Sequence, residues 1–290
     1  MLRPFEIHQP ESVEAASALV GRYGDDAAFY AGGTELLLVM KEGLVRYRHL
    51  VDLKTIPALG ALDYDAASGL LRIGGTVTHR ALERHPTVRE RFPIVAEVER
   101  LVANVRVRNV GTIGGNLCFA EPHADPGTLF LTFDAEVELV GTRGARTVPI
   151  GAFFTGAYET ARQPDEVLTA VRLREGGPQT RWAYMKFGIH ERPTLGVAVA
   201  LTLDAERRGI EDVRIAVGCV GPVPARVPAA EALLRGAPLA EADGPLERAA
   251  QVAAEGADAV DDLHGSAEYK VEMVKVFMRR AFRAAAARFQ

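Results

Sequence analysis

The sequence predicts an α+β protein in which helices and strands are mixed in a first part and an antiparallel sheet precedes helices in a second. Strand and helix patterns alternate over the first fifty residues, and short strands and helices continue to about residue 175. Three apolar stretches at 181–187, 196–203 and 213–220 then have the spacing of an antiparallel meander. The glycines and proline at 176–178 interrupt the pattern and mark the predicted boundary.

Length, composition and charge exclude several classes of protein. The chain has 290 residues, 48% hydrophobic and 25% charged, as in an ordinary globular protein. Since a domain holds roughly 100 to 200 residues, we expect two structural units. The net charge of −4 argues against a nucleic-acid partner. No apolar run approaches the roughly 20 residues of a membrane span, and Pro4 and Glu6 interrupt any signal peptide. We therefore expect a cytoplasmic protein without a membrane span.

The first fifty residues predict a strand–helix alternation. Apolar spacing over 12–23 indicates a helix with Ser12 as its N-cap. A strand over 27–31 runs into a glycine pair, and Thr34 is predicted to open a second helix that Gly43 ends. Residues 49–53 form the next predicted strand.

The later elements are shorter. Beyond residue 60 the patterns predict strands at 62–64, 70–73, 136–140 and 146–148, and helices at 78–84, 94–102 and near 128–133, with a polar connection between 102 and 111. After the three strands of the meander, helices are predicted at 229–234, 246–254 and from about residue 267.

Familiar catalytic signatures are missing from the sequence. There is no dinucleotide-binding GxGxxG after a strand, no P-loop, no HExxH and no GxSxG. The seven histidines are scattered, so we predict no metal site. Two cysteines are too few to hold an iron–sulfur cluster.

Two glycine-containing strings remain, and both are predicted to be turns after an apolar, strand-like residue. They are Ala31-Gly-Gly-Thr-Glu-Leu36 and Thr112-Ile-Gly-Gly-Asn116. Glycine allows the backbone to approach a ligand closely and to direct N–H groups at an anion such as a diphosphate. A tight turn is the alternative for any single glycine pair, because 28 glycines produce about three pairs by chance.

Together, these strings identify a family resemblance. Their order and their separation of about eighty residues resemble the FAD-binding motifs in the flavoprotein, or medium, subunits of molybdenum hydroxylases of the carbon monoxide and xanthine dehydrogenase type. Similar segments follow along nearly the whole chain, at 51–57, 74–79, 107–111, 166–168, 183–187, 221–224 and 266–270.

The resemblance implies a fold and a set of FAD contacts. The fold is an FAD-binding region of two α/β subdomains, about 1–55 and 56–176, followed by a C-terminal domain, 177–290, with a three-stranded antiparallel sheet and helices. The implied contacts are Ala31, Gly32, Gly33, Thr34, Glu35, Leu36, Val102, Thr112, Ile113, Gly114, Gly115, Asn116, Asp125, Leu168 and Lys186.

Three of these positions have alternative interpretations from the sequence alone. Asp125 precedes Pro126 and an apolar helix, as an N-cap does. The sequence alone indicates a core residue at Leu168 and a solvated or paired strand residue at Lys186.

The segment 188–195 departs from the family pattern. Many members carry an acidic residue where Pro193 and Thr194 stand in this chain. The resemblance therefore does not determine the environment of the flavin ring or the identity of the electron acceptor.

The implied activity is electron transfer through FAD. By resemblance, the chain works with a small [2Fe-2S] subunit and a large molybdopterin subunit, assembled as a dimer of heterotrimers. The resemblance places substrate oxidation on the large subunit, so we predict no catalytic acid or base in this chain. The alternatives are a flavin-free scaffold or assembly subunit and a freestanding FAD oxidoreductase.

Overall fold

Three main sheets and a small hairpin organise the chain, whose residues 2–188 and 192–289 are described by a computed structural model. The predicted α+β class is confirmed. None of the helices in these residues is long and apolar enough to cross a membrane.

The first sheet is parallel and begins the chain. Its strands are β1 (Glu6–His8), β2 (Ala27–Tyr30) and β3 (His49–Asp52), in the order β1-β3-β2, and its helices are α1 (Val13–Tyr23) and α2 (Leu36–Glu42). The predicted cap of α1 is confirmed, because Ser12 Oγ accepts a hydrogen bond from Ala15 N at 3.1 Å. The predicted start of the second helix at Thr34 is wrong: α2 begins at Leu36.

The second sheet is antiparallel and carries a run of helices between two of its strands. Its strands are β4 (Leu62–Asp65), β5 (Leu70–Gly74), β6 (Glu136–Gly141), β7 (Gly144–Pro149) and β10 (Val167–Arg174), in the order β4-β5-β10-β6-β7, and the hairpin is β8 (Phe154–Gly156) with β9 (Glu159–Thr160). The helices are α3 (His79–Arg84), α4 (Pro86–Arg91), α5 (Pro93–Leu101), α6 (Val105–Val110), α7 (Ile113–Phe119) and α8 (Asp125–Leu131).

Three of these helices, α4, α6 and α7, were not predicted, and α7 begins in the second glycine string. The segment expected to be a polar connection contains α6, whose N-cap Asn104 accepts hydrogen bonds from the N–H groups of Arg106 and Val107. Valine and arginine alternate in this helix, which has only six residues, so the apolar spacing does not show the helical period. Helix α4 is equally short and starts at Pro86, in the N1 position that suits proline.

The C-terminal part contains the predicted meander. Its strands are β11 (Thr180–Phe187), β12 (Leu195–Leu203), β13 (Ile210–Gly218) and a two-residue edge strand β14 (Ala225–Arg226), and its helices are α9 (Pro228–Leu234), α10 (Asp243–Glu255) and α11 (Ala267–Ala287). Both faces of this sheet are buried. Val197 and Val199 pack in a cluster with α9 to α11, whereas Ala198 packs in the core of the second sheet and its helices.

Backbone contacts between glycines hold the elements that follow β5 close together. The Gly114 N–H donates to the carbonyl of Gly75 at 2.9 Å, and a Cβ on Gly114 would lie 2.6 Å from that same oxygen. The start of α7 therefore lies directly against the chain that leaves β5, at a distance that only glycine permits.

This contact predicts a measurable loss of stability. We expect Gly114→Ala to lower the free energy of unfolding by about 1–3 kcal/mol, because the added methyl group overpacks the contact with Gly75. Urea denaturation at a fixed FAD concentration measures the change. The matched control is Gly21→Ala in α1, where nothing lies within 4 Å of a new Cβ; it is expected to gain about 0.5–1 kcal/mol. A Gly114→Ala protein as stable as the wild type would contradict the assignment.

Candidate cofactor-binding cleft

The first glycine string forms a loop that only glycine can build. Gly33 has a φ of +71°, and a Cβ there would lie 2.4 Å from a ring carbon of Tyr30. Lys54 holds the loop from behind, because its Nζ lies 2.9 Å from the carbonyl oxygen of Ala31 and 3.7 Å from the centroid of the Tyr30 ring. Asp52 accepts a hydrogen bond from the same Nζ at 2.7 Å and keeps Lys54 in place.

Backbone N–H groups in this loop are available to a ligand. Within residues 2–188 and 192–289, no hydrogen bond to a protein acceptor is formed by the N–H groups of Gly32, Gly33 or Thr34. Successive unpaired N–H groups form a concave site for an anion. The loop therefore has the donors that a diphosphate requires.

The second string differs from the predicted turn. Thr112 is the N-cap of α7 and the string forms that helix's first turn, so the prediction of a turn after a strand-like residue is wrong. The N–H groups of residues 113–116 are already paired. Ile113 N donates to Val77 O at 2.9 Å, Gly114 N to Gly75 O, and Gly115 N to Thr112 Oγ1 at 3.1 Å. We infer that this string shapes the site more than it supplies backbone donors.

Asn116 is the exception in the second string. Its side-chain Oδ1 is buried and has no hydrogen-bond partner among the residues that the structure describes. Asn116 also lines the cleft described below. A buried polar atom without a partner is costly, so it is a natural contact for a polar ligand.

The first string lies directly against the residues that precede the second string. A Cβ on Gly32 would lie 2.3 Å from the carbonyl oxygen of Val110 and 2.7 Å from Cα of Gly111. The carbonyl oxygen of Gly111 in turn accepts a hydrogen bond from the N–H of His79 at 3.0 Å. The loop after β2 and the start of α7 therefore meet across the junction between the first and second sheets.

A cleft of about 870 Å³ opens where the two strings meet. Most of the predicted site residues line it, namely Ala31, Gly32, Gly33, Thr34, Glu35, Leu36, Val102, Thr112, Gly114, Gly115, Asn116, Asp125 and Leu168. Two do not line the cleft. Ile113 is fully buried in the core behind α7, and Lys186 contacts Asp125, which does line the cleft.

Asp125 links the cleft to the C-terminal sheet. It is the first residue of α8 and not its N-cap, which is Ala124. Its carboxylate accepts hydrogen bonds from Tyr184 Oη and Lys186 Nζ, both at 2.8 Å. Burial raises the pKa of Asp125, although Lys186 and Tyr184 act in the opposite direction. The N-cap interpretation of Asp125 is therefore wrong, and the strand residue Lys186 is paired.

Charged residues at the cleft include several that the sequence did not single out. Arg192 forms ion pairs with Glu35, at 3.1 Å, and with Glu121. Burial raises the pKa of Glu35, and the charge of Arg192 opposes this rise. Arg162 also lines the cleft, where its Nη1 donates to three backbone carbonyls. Strand pairing and loop packing bring these side chains together, and no local motif marks them.

The segment 188–195, in which Pro193 and Thr194 depart from the family pattern, is described only in part. Residues 189–191 lie outside the described residues. Arg192 contacts the cleft as stated above, and the Pro193 carbonyl accepts a hydrogen bond from His123 Nδ1 at 2.7 Å. The positions that depart from the family pattern therefore lie next to a histidine that lines the cleft.

The cleft suits a long ligand with an anionic centre and flat apolar ends. The unpaired N–H groups of the first loop and the Asn116 oxygen provide polar contacts, and Val102 and Leu168 provide buried apolar wall. These features fit FAD, whose diphosphate lies between two ring systems.

Comparisons with known proteins agree with this interpretation. A family described as the FAD binding domain in molybdopterin dehydrogenase matches residues 3–173, and the CO dehydrogenase flavoprotein C-terminal domain matches residues 183–285. The carbon monoxide dehydrogenase medium chain of Hydrogenophaga pseudoflava is 34% identical over 98% of both chains. The nicotine 6-hydroxylase medium subunit of Paenarthrobacter nicotinovorans is also 34% identical, over 96% of both.

A solved structure extends the likeness to the whole fold. A chain of carbon monoxide dehydrogenase from Hydrogenophaga pseudoflava superimposes with a TM-score of 0.95 at 35% identity, over 99% of both chains. The two family matches, the full-length relatives and the fold agree. This chain belongs to the FAD-binding medium subunits of the molybdenum hydroxylases, a family of oxidoreductases whose cofactor in this subunit is FAD.

Proposed function

We propose that this chain passes electrons between the iron–sulfur clusters of a small subunit and an external acceptor, in a cytoplasmic complex with a large molybdopterin subunit. The observation that carries the proposal is the cleft in which both glycine strings, Asn116 and Asp125 converge. Bound FAD supplies the exchange of one electron with a cluster and of two with an acceptor.

The chain's own residues bind and orient the cofactor. We assign the N–H groups of Gly32, Gly33 and Thr34 to the diphosphate, because they have no protein acceptor in the described part of the chain. Val102 and Leu168 exclude water from one wall of the cleft, since both are more than nine-tenths buried. The hydrogen-bonded Asp125 and Lys186 fix the C-terminal sheet against the cleft.

The cysteine content explains why partners are required. The two free cysteines, Cys118 and Cys219, cannot provide the four ligands of an iron–sulfur cluster. One-electron donors must therefore come from another chain. The medium-chain relatives support a complex of small, medium and large subunits, for which we propose a dimer of heterotrimers.

The first loop predicts a selective loss of FAD. We expect Gly33→Ala to weaken FAD binding at least about tenfold, because a left-handed backbone costs a non-glycine residue about 1–2 kcal/mol and the methyl group would also collide with Tyr30. Both effects move the loop away from the shape that the cofactor needs. Titration of the FAD-depleted protein with FAD, followed by flavin fluorescence, measures the affinity.

Gly43→Ala is the matched control. Gly43 has a similar φ of +79°, but nothing lies within 4 Å of a new Cβ, and it does not line the cleft. The control is expected to lose some stability and to keep its FAD affinity. Equal losses of affinity in the two variants would show that the effect is general destabilisation and not a property of the first loop.

The electron-transfer role predicts reduction of the flavin by the partner's clusters. We expect a tagged FAD-loaded chain to co-purify with both partners. Small subunit that has been reduced with dithionite and freed of excess reductant should bleach the flavin absorbance when mixed with the chain anaerobically. Two clusters must be reoxidised for each FAD that is fully reduced, because each cluster gives one electron.

The outcomes separate the three candidate functions. A chain that co-purifies with the partners but is not reduced by the clusters is a scaffold. A chain that retains FAD and associates with neither partner is a freestanding oxidoreductase. The Gly33→Ala protein loaded below saturation provides the control, since bleaching must scale with its FAD content.

A further inference from the structure

A cluster of two histidines and a glutamate lies on the first sheet, away from the cleft. Glu6 and His8 belong to β1, and His49 belongs to β3. None of the three lines the cofactor cleft. In the described residues, they are the only group of three or more histidine, cysteine or acidic side chains placed closely enough to hold a metal ion.

Strand pairing brings these residues together, although His8 and His49 are 41 positions apart in the sequence. β1 and β3 are parallel neighbours, and Glu6 is the register partner of His49. His8 is two residues beyond Glu6, so its side chain leaves the same face of the strand. All three side chains therefore project from one face of the sheet.

Their ligand atoms lie at distances suitable for coordination. His8 Nε2 is 3.1 Å from His49 Nδ1, and Glu6 Oε2 is 3.6 Å from the same His49 nitrogen. All the candidate ligand atoms lie within 4.8 Å of one another. Tetrahedral zinc with bonds of about 2.0–2.2 Å places neighbouring ligand atoms about 3.3 Å apart. Small side-chain movements would therefore bring the three ligands to a common ion.

The surroundings hold the histidine rings but leave access for an ion. Tyr23 at the end of α1 stacks on His49 with ring centroids 3.8 Å apart. The side chains of His8 and His49 are 14% and 20% exposed, whereas that of Glu6 is 65% exposed. The imidazoles are thus fixed in place, and the carboxylate is free to close onto an ion from the solvent side.

We propose that Glu6, His8 and His49 form a binding site for a divalent transition-metal ion of the Zn²⁺ class. Two imidazole nitrogens and one carboxylate oxygen are ligands that Zn²⁺ favours, and water completes the shell. The ion links the edge strand β1 to β3. Because it binds the folded chain, it stabilises the first sheet. The site is separate from FAD binding and does not depend on the proposed function.

Titration of the FAD-loaded full chain with Zn²⁺ tests the proposal. We expect calorimetry to find about one ion per chain at this site, together with a rise in the melting temperature. Binding of Cu²⁺ in place of Zn²⁺ should produce an electron paramagnetic resonance spectrum with coupling to two imidazole nitrogens. This spectrum identifies the ligands independently of any activity.

Single substitutions identify the ligands. His8→Gln and His49→Gln are each expected to weaken Zn²⁺ binding at least about tenfold, and Glu6→Gln should weaken it less, because a neutral amide replaces an exposed carboxylate. His264→Gln is the matched control, since His264 is also a half-buried histidine packed against another histidine, with ring centroids 4.3 Å apart. It should leave Zn²⁺ affinity unchanged.

Three results would overturn the proposal. Absence of Zn²⁺ uptake would mean that His8 and His49 form only a hydrogen bond with each other. Unchanged affinity in the histidine variants would place the ion elsewhere, and a matching loss in the His264 variant would indicate non-specific binding. If loss of the Tyr23 stack prevents His49→Gln from folding, the Zn²⁺ affinity of His8→Gln decides between these results, because His8 lies on an edge strand.

Discussion

The cofactor site depends on backbone contacts between glycines, at distances that exclude a Cβ atom. Gly32 packs on the backbone of Val110 and Gly111, and Gly114 packs on Gly75. These contacts join the loop after β2 to the end of α6, and the start of α7 to the chain that leaves β5. Because the cleft lies where they meet, any side chain there would separate its two walls. The glycines therefore have a structural role before they have a role in binding.

The two glycine strings have similar sequences but contribute differently to the site. The first leaves the N–H groups of Gly32 to Thr34 without protein acceptors, whereas those of residues 113–116 in the second are hydrogen-bonded within the protein. Ile113 anchors the second string in the core, and Lys54 holds the first string from outside the cleft. A ligand is thus met by a donor-rich loop on one side and by a rigid helix start with one unpaired side-chain oxygen on the other.

Patterns that repeat within a segment were predictable from the sequence, and contacts between distant segments were not. The α+β class, the Ser12 cap, the helix at 78–84 and the antiparallel meander follow from local spacing. The short helices α4 and α6 were not predicted, because six residues contain too little periodicity to distinguish a helix from a strand. The interpretation of the second string as a turn after a strand-like Ile113 failed for the same reason, since α7 has only seven residues.

Side chains brought together by tertiary structure were harder to predict. Arg192 meets Glu35 only when the C-terminal sheet closes on the first subdomain, a contact spanning 157 positions. The pairing of Asp125 with Lys186 similarly joins a helix start to a distant strand, so local sequence favoured a helix cap. The histidine cluster of the first sheet also depends on strand register, which a count of scattered histidines does not contain.

The most direct test of this account is a crystal structure of the chain with bound FAD. The account predicts that diphosphate oxygens accept hydrogen bonds from the backbone N–H groups of the loop at Gly32 to Thr34, with the α7 N–H groups still paired to protein acceptors as they are here. A diphosphate located away from that loop would contradict it, as would an α7 whose first turn had separated from Gly75 to bind the cofactor.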